Sequence, residues 1–378
     1  MRVLGGVSCK NGCLFAVMAV YLIAFLLAPA LMFDARNDER FFWPSVLAFS
    51  SGGVMPDIEA LRGYSGKVSG VYPTPLVFYL FSLLERTFGF GVSGARATNF
   101  LVSFAVACIV ARGCRFRPLV GLFLFPYFWL ASAYAYTDMV ASFFVLCGFL
   151  AYERGKGWVS GLFFVLAVSS RQFMVCFPAA IAAWELFSGS RRRLASAAPH
   201  VMASMSLLGW YLLFGGFGPP GLSPKPSMLG LHPEYSLFLL SMVGLYYVLV
   251  ESLLFGFGWL RRPRKSVVPV MVVLFALFVS FPPYGNPGVY PIKTMGIFDT
   301  FLAGFAGEPL RIAAYYMLAA LAVLRFQRLG LPSLMVCFNC LVVAFSFIIW
   351  EKYALPLIIV LWYMASRGYL ADADAKHC

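Results

Sequence analysis

Apolar stretches long enough to approach ~30 Å of hydrocarbon recur along the whole 378-residue chain, and the gaps between them hold most of its charge. No gap is larger than a loop, so there is no room for a soluble domain. With 61% hydrophobic residues, 12% charged residues and a mean hydropathy of +0.82, the chain has too little polar surface to be solvated by water. It reads as an all-α, polytopic integral membrane protein, a single transmembrane domain over 1–378 whose chemistry sits in the loops or between the helices.

The formal net charge of +13 does not point to nucleic acid, because the 29 basic residues form short clusters between apolar stretches rather than one face. They read as topology signals. The nine cysteines fall inside apolar stretches or, as Cys9, Cys114 and Cys378, in gaps assigned to the cytoplasm. Neither a structural disulfide nor a metal site is expected from them, since no two share a loop.

The first segment, Cys13 to Phe33, is too long for a signal-peptide core, and Ala28-Pro29-Ala30 matches a cleavage site poorly, so it reads as an anchor with its N-terminus inside. The following loop, 34–93, is then external. Within it, Pro73 to Phe90 carries Glu85 and Arg86 and reads as a juxtamembrane helix lying on the outer surface rather than crossing. The remaining apolar stretches then alternate without conflict at about 94–111, 118–133, 138–152, 157–170, 173–187, 199–215, 236–259, 266–281, 309–324, 331–349 and 353–366, giving about twelve spans. Clusters such as Arg112-Arg115-Arg117, Arg191-Arg192-Arg193 and Arg261-Arg262-Arg264-Lys265 then face the cytoplasm, and most carboxylates lie outside. A late external loop, 282–308, contains Tyr284-Gly285-Asn286-Pro287-Gly288, Lys293 and Asp299 and has the length of a lid.

Four positions carry more than topology requires. Asp34 and Asp38 lie four apart, as do Arg36 and Arg40, so on a short interfacial helix each pair shares a face. Neighbouring charges of either sign would tune a carboxylate there to act as a base; the alternative is a solvated helix tiled with weak ion pairs. Next, Val71-Tyr72-Pro73-Thr74-Pro75 opens an aromatic-rich helix, serving as a helix start or as a wall for a lipid chain. Third, Tyr136-Thr137-Asp138 sits at an outer helix end, where Asp138 either faces the bundle interior near a cavity or caps the following helix. Last, Arg171-Gln172 is a lone cation between two apolar helices at an outer mouth, where the positive-inside rule would not put it. Its planar fork suits a phosphate, and an ion pair with Asp138 competes or coexists with that role.

These motifs, in this order and rough spacing (Asp38-Glu39-x-Phe41-x-x-Pro44, Tyr72 to Tyr79, Tyr136-Thr137-Asp138 before Phe143-Phe144, and Arg171-Gln172), resemble those of the dolichyl-phosphate-glucose-dependent alpha-1,2-glucosyltransferases, within the GT-C class of polytopic glycosyltransferases. The likeness covers roughly the first half of the chain. It departs where Phe173-Met174 stand in place of the family's usual Thr-Asn, and the chain is shorter than typical members.

The resemblance implies a GT-C-like fold with juxtamembrane helices in the first external loop. It also implies transfer of a sugar, glucose by analogy, from a polyprenyl- or dolichyl-phosphate donor to a lipid-linked glycan acceptor, on the lumenal face of the endoplasmic reticulum or the periplasmic face of a bacterial inner membrane. Asp38 would then be the general base, with Glu39 as alternative. Arg171, Gln172 and Lys293 would meet the donor phosphate, and Asp34, Tyr72, Tyr136 and Asp138 would line the cavity. A lipid-phosphate leaving group needs a metal less than a nucleotide diphosphate does, so no cofactor is expected, although Asp38 with Glu39 could hold one. Besides the two substrates, the expected partner is membrane lipid, with no nucleic acid. The rival reading is a secondary transporter or flippase; transporters often show two similar halves, and no such repeat is visible here.

Overall fold

The computed structural model describes residues 3–27, 39–52, 74–113, 116–187, 193–215, 230–261, 267–283, 296–346 and 349–370. Among them the chain is all-α, in sixteen helices. These are α1 (Val3–Leu27), α2 (Glu39–Gly52), α3 (Leu76–Phe88), α4 (Gly91–Ala111), α5 (Phe116–Phe123), α6 (Pro126–Ala133), α7 (Thr137–Glu153), α8 (Gly157–Ser170), α9 (Cys176–Phe187), α10 (Arg193–Phe214), α11 (Pro233–Phe255), α12 (Val267–Ser280), α13 (Ile297–Phe305), α14 (Glu308–Arg325), α15 (Leu331–Val343) and α16 (Leu355–Arg367). Nearly every stretch that sequence periodicity marks as helical is helical; α2 lies in the first external loop, for which juxtamembrane helices are expected, and α13 forms inside the segment read as a late loop.

Twelve spans is not the count that the described helices supply. Three, α4, most of α10 and α11, are long and apolar enough to cross a bilayer, and α5 with α6 makes a fourth if that bent pair is one span. The shortfall has a local cause. At ~1.5 Å per residue, the 14 residues of α8 or α12 reach about 21 Å, well under the hydrocarbon thickness. The stretch 118–133 is interrupted before Pro126, and 173–187 opens as a 3₁₀ turn, Gln172–Val175, before α9 begins. Apolar length in sequence overstates helix length wherever the backbone breaks inside the run.

The chain divides into two compact units: residues 1–116 with 128–224, and 117–127 with 225–378. In the first, α7 and α8 form an antiparallel hairpin against which α10 packs. Gly161 of α8 makes the close approach to α10 possible, since a Cβ there would lie 2.8 Å from the Pro199 carbonyl oxygen. Helices α2 and α3 pair across Val46, Phe49, Val77, Phe78 and Phe81, with Phe42 edge-on to Phe78 at 5.7 Å. Helix α3 runs 13 residues and stops at Gly89, whose φ of 63° is a left-handed C-cap.

In the second unit, α11 packs on α14 and α15 and carries a π-helical segment, Gly244–Leu249. Large apolar side chains point outward along α12, among them Val268, Val272, Phe275 and Val279, as they do along α1 in the first unit. Such surfaces suit lipid and would be poorly tolerated in water.

Candidate functional site

In the first unit, α6 ends at Ala133 and α7 starts at Thr137, leaving a three-residue turn between them. The turn is held from both sides. Asn99, on α4, donates its amide to the carbonyl oxygens of Tyr134 and Tyr136, each at 2.7 Å. Glu39, the first residue of α2, accepts the Ala135 N–H at 2.7 Å. The rings of Tyr134 and Tyr136 stack at 5.6 Å, with the Arg96 guanidinium 5.8 Å from the Tyr134 centroid. Tyr136 therefore belongs to the wall of this cluster.

Arg171 arrives from the opposite side. Helix α8 ends at Ser170 because Arg171 takes an extended conformation (φ −160°, ψ 121°), and the chain then turns through Gln172–Val175. Its Nη1 donates to Thr137 Oγ1 at 2.8 Å and to Asp138 Oδ2 at 3.0 Å, and the guanidinium lies over the Phe173 ring at 4.9 Å. Phe173 thus supplies a cation–π face. Gln172 Oε1 accepts the Thr74 N–H at 3.3 Å, and Thr74 Oγ1 donates to the Val168 carbonyl oxygen at 2.6 Å.

Two guanidinium–carboxylate pairs consequently hang from one turn, and they differ in kind. Glu39 with Arg96 is a fork: Nε meets Oε1 at 2.9 Å and Nη2 meets Oε2 at 2.6 Å, so both carboxylate oxygens are engaged. Asp138 meets Arg171 through Oδ2, and among the described residues its Oδ1 has no hydrogen-bond partner. Asn99 Oδ1 is in the same condition, and the two carbonyls on its NH₂ fix the amide orientation. Asp138 is 1% exposed and Asn99 0%, so neither oxygen reaches bulk water. A buried acceptor without a donor costs about 1–3 kcal/mol.

The four sequence motifs therefore converge. Glu39 bonds to Ala135 of the turn and Arg171 to Thr137 and Asp138 in the first turn of α7, and Thr74 of the Pro-rich segment bonds to Gln172. Asp34, Asp38, Tyr72 and Lys293 lie outside the described residues. Sequence reasoning missed Arg96 and Asn99. Their signal was a cation and an amide three apart, on one face near the start of an apolar span, where polar side chains are rarely idle. Among the described residues, no three His, Cys, Asp or Glu side chains gather closely enough to hold a metal ion.

The second unit has its own buried polar cluster. Glu351 accepts the Asp299 N–H at 3.0 Å and the Tyr246 hydroxyl at 2.8 Å, so it caps the N-terminus of α13 from another segment of chain. Asp299 in turn receives Arg311 and, at 2.7 Å, the Tyr315 hydroxyl. Gly296 has a φ of 151°, and a Cβ there would lie 2.6 Å from the Tyr127 hydroxyl. This cluster has a structural explanation in the seating of α13. Comparison of the chain with protein-family models, with curated proteins and with solved structures gave no match.

Proposed function

We propose that this protein is a GT-C-like membrane glycosyltransferase that moves a sugar, glucose by the family resemblance, from a polyprenyl- or dolichyl-phosphate donor to a lipid-linked glycan. The observation that carries the reading is the chain of hydrogen bonds that links four motifs, up to about 130 residues apart in sequence, around the start of α7: Glu39 to Ala135, Arg171 to Thr137 and Asp138, and Thr74 to Gln172. The shorter apolar helices are taken to complete the crossing together with the turns that flank them, with the site at the non-cytoplasmic face. The membrane is that of the endoplasmic reticulum, or alternatively a bacterial inner membrane.

In this reading Arg171 meets the donor phosphate, with Gln172 beside it and Lys293 as a second cation, and stabilises the negative charge that grows on the leaving group. Asp38 accepts the proton of the acceptor hydroxyl. The hydroxyl oxygen bonds to the anomeric carbon as the carbon–oxygen bond to the phosphate breaks, so the configuration inverts and the lipid phosphate departs as the anion. Glu39 is assigned a holding role, because Arg96 and the Ala135 N–H occupy both its oxygens. A single displacement needs no covalent enzyme intermediate.

The test is transfer by purified protein from polyprenyl-phosphate glucose and mannose to a lipid-linked glycan. Asp38→Asn should lower the rate by about 10²–10⁴-fold, and Arg171→Ala by about 10²–10³-fold. Transfer untouched by both substitutions would remove the site assignment, whereas no transfer from any lipid donor would favour a transporter.

A further inference from the structure

Two acceptor oxygens beside the turn, Asp138 Oδ1 and Asn99 Oδ1, are buried without a donor among the described residues. Asp138 shares its carboxylate with the Arg171 contact, and Asn99 grips the two carbonyls on either side of Ala135, so both belong to the same few residues of chain. Each buried polar group left unsatisfied calls for an explanation, and a ligand that supplies the missing donor is one. With Asp138 ionised against the Arg171 guanidinium, both atoms are acceptors only, so what they lack is a donor.

Charge narrows the donor's identity. The Arg96–Glu39 and Arg171–Asp138 pairs are each neutral, and an ammonium ligand would enter beside two guanidinium groups with no carboxylate left to offset it. A hydroxyl brings a proton without a charge.

We propose that Asp138 Oδ1 and Asn99 Oδ1 are the hydroxyl-reading acceptors of a sugar whose phosphate is held by Arg171, making them the residues that set sugar specificity. This rests on the transferase reading above and assigns it a pair of sugar contacts on the first unit. The same carboxylate then serves two ends of one ligand: Oδ2 orients the guanidinium toward the phosphate while Oδ1 tests the sugar for a hydroxyl.

The test is direct binding to the full-length protein in nanodiscs, using polyprenyl phosphate, its glucose ester and the series of monodeoxyglucose esters. In wild type, at least one deoxy ester should bind about 10–100-fold more weakly than the glucose ester, the factor expected when a buried acceptor goes unmet. In Asp138→Asn the amide oxygen remains on Arg171, so its NH₂ takes the place of Oδ1 and turns an acceptor into a donor. That penalty should then shrink toward unity, while bare polyprenyl phosphate still binds.

A flat deoxy series in wild type would mean that the two oxygens hold structural water, and would overturn the inference while leaving the transferase reading intact. An unchanged penalty in Asp138→Asn would remove Asp138 from the sugar site. If wild type bound neither the sugar esters nor polyprenyl phosphate, the transferase reading would fall and this inference with it. Should Asp138→Asn fail to fold, the wild-type deoxy series decides alone.

Discussion

The two carboxylates at the α6–α7 turn are of one chemical type and are set to different tasks by their partners. Glu39 is 1% exposed and forked by Arg96 while also accepting a backbone N–H, an arrangement that spends the whole carboxylate on holding α2, α4 and the turn together. Removing one member of such a pair leaves a buried charge uncompensated, at a cost of about 3–5 kcal/mol. Arg96→Leu should therefore destabilise the protein by roughly that amount, and the double variant Glu39→Gln with Arg96→Leu by less, because the orphaned charge is gone. Thermal unfolding in detergent measures both; equal losses would show that the pair is not what holds the turn. The acidic pair Asp38-Glu39 was legible in the sequence, but the commitment of Glu39 to a guanidinium was not, since Arg96 lies 57 residues away.

At the scale of elements, helix breaks position the polar groups. Arg171 is presented because α8 stops one residue before it. In the second unit Glu351 is presented in the same way, on the four-residue 3₁₀ turn Glu351–Ala354 that follows the extended Trp350. Glu351 lies between α15 and α16, and burial pushes its carboxyl above the ordinary glutamate range, with its hydrogen bonds opposing part of that rise. The native state thus holds the proton more tightly than the unfolded chain does. The stabilising share of this group is fully present below the unfolded value of 4.5 and is lost as pH rises through the higher native value. Glu351→Gln should flatten that decline in unfolding midpoints measured from pH 4 to 8, and an unaltered slope would assign the dependence to another group. Sequence periodicity located these breaks only as gaps between apolar runs, because the apolar residues that end such a turn, Phe173-Met174-Val175 in the first unit, read like the helix that follows it.

For the whole molecule, the α7–α8 hairpin makes the sidedness in the transferase reading testable. Thr137 opens α7 and Ser170 closes α8, so the Arg171 end and the Arg154–Lys156 end are separated by about 25 Å, the length of the 17 residues of α7. Arg154 and Lys156 are exposed, and the transferase reading places them at the cytoplasmic side by the positive-inside rule. In a cysteine-free background, Lys156→Cys should react with a membrane-impermeant thiol reagent only from the cytoplasmic side, and Tyr134→Cys only from the other. Labelling of both from one side would place the site at the wrong membrane surface for a donor presented outside.

What the sequence determined by itself was the class and the material: an all-α chain rich in apolar helices, the approximate place of nearly every helix, and the residue types gathered in four motifs. Those follow from composition and local periodicity, which act over a few neighbours. Tertiary structure decided which motifs meet, that Glu39 is engaged by Arg96, that Asn99 belongs to the site, and that many apolar runs are too short as helices to cross a bilayer alone. Such outcomes depend on contacts between residues tens of positions apart and on where the backbone breaks, and neither is written in the hydrophobic pattern.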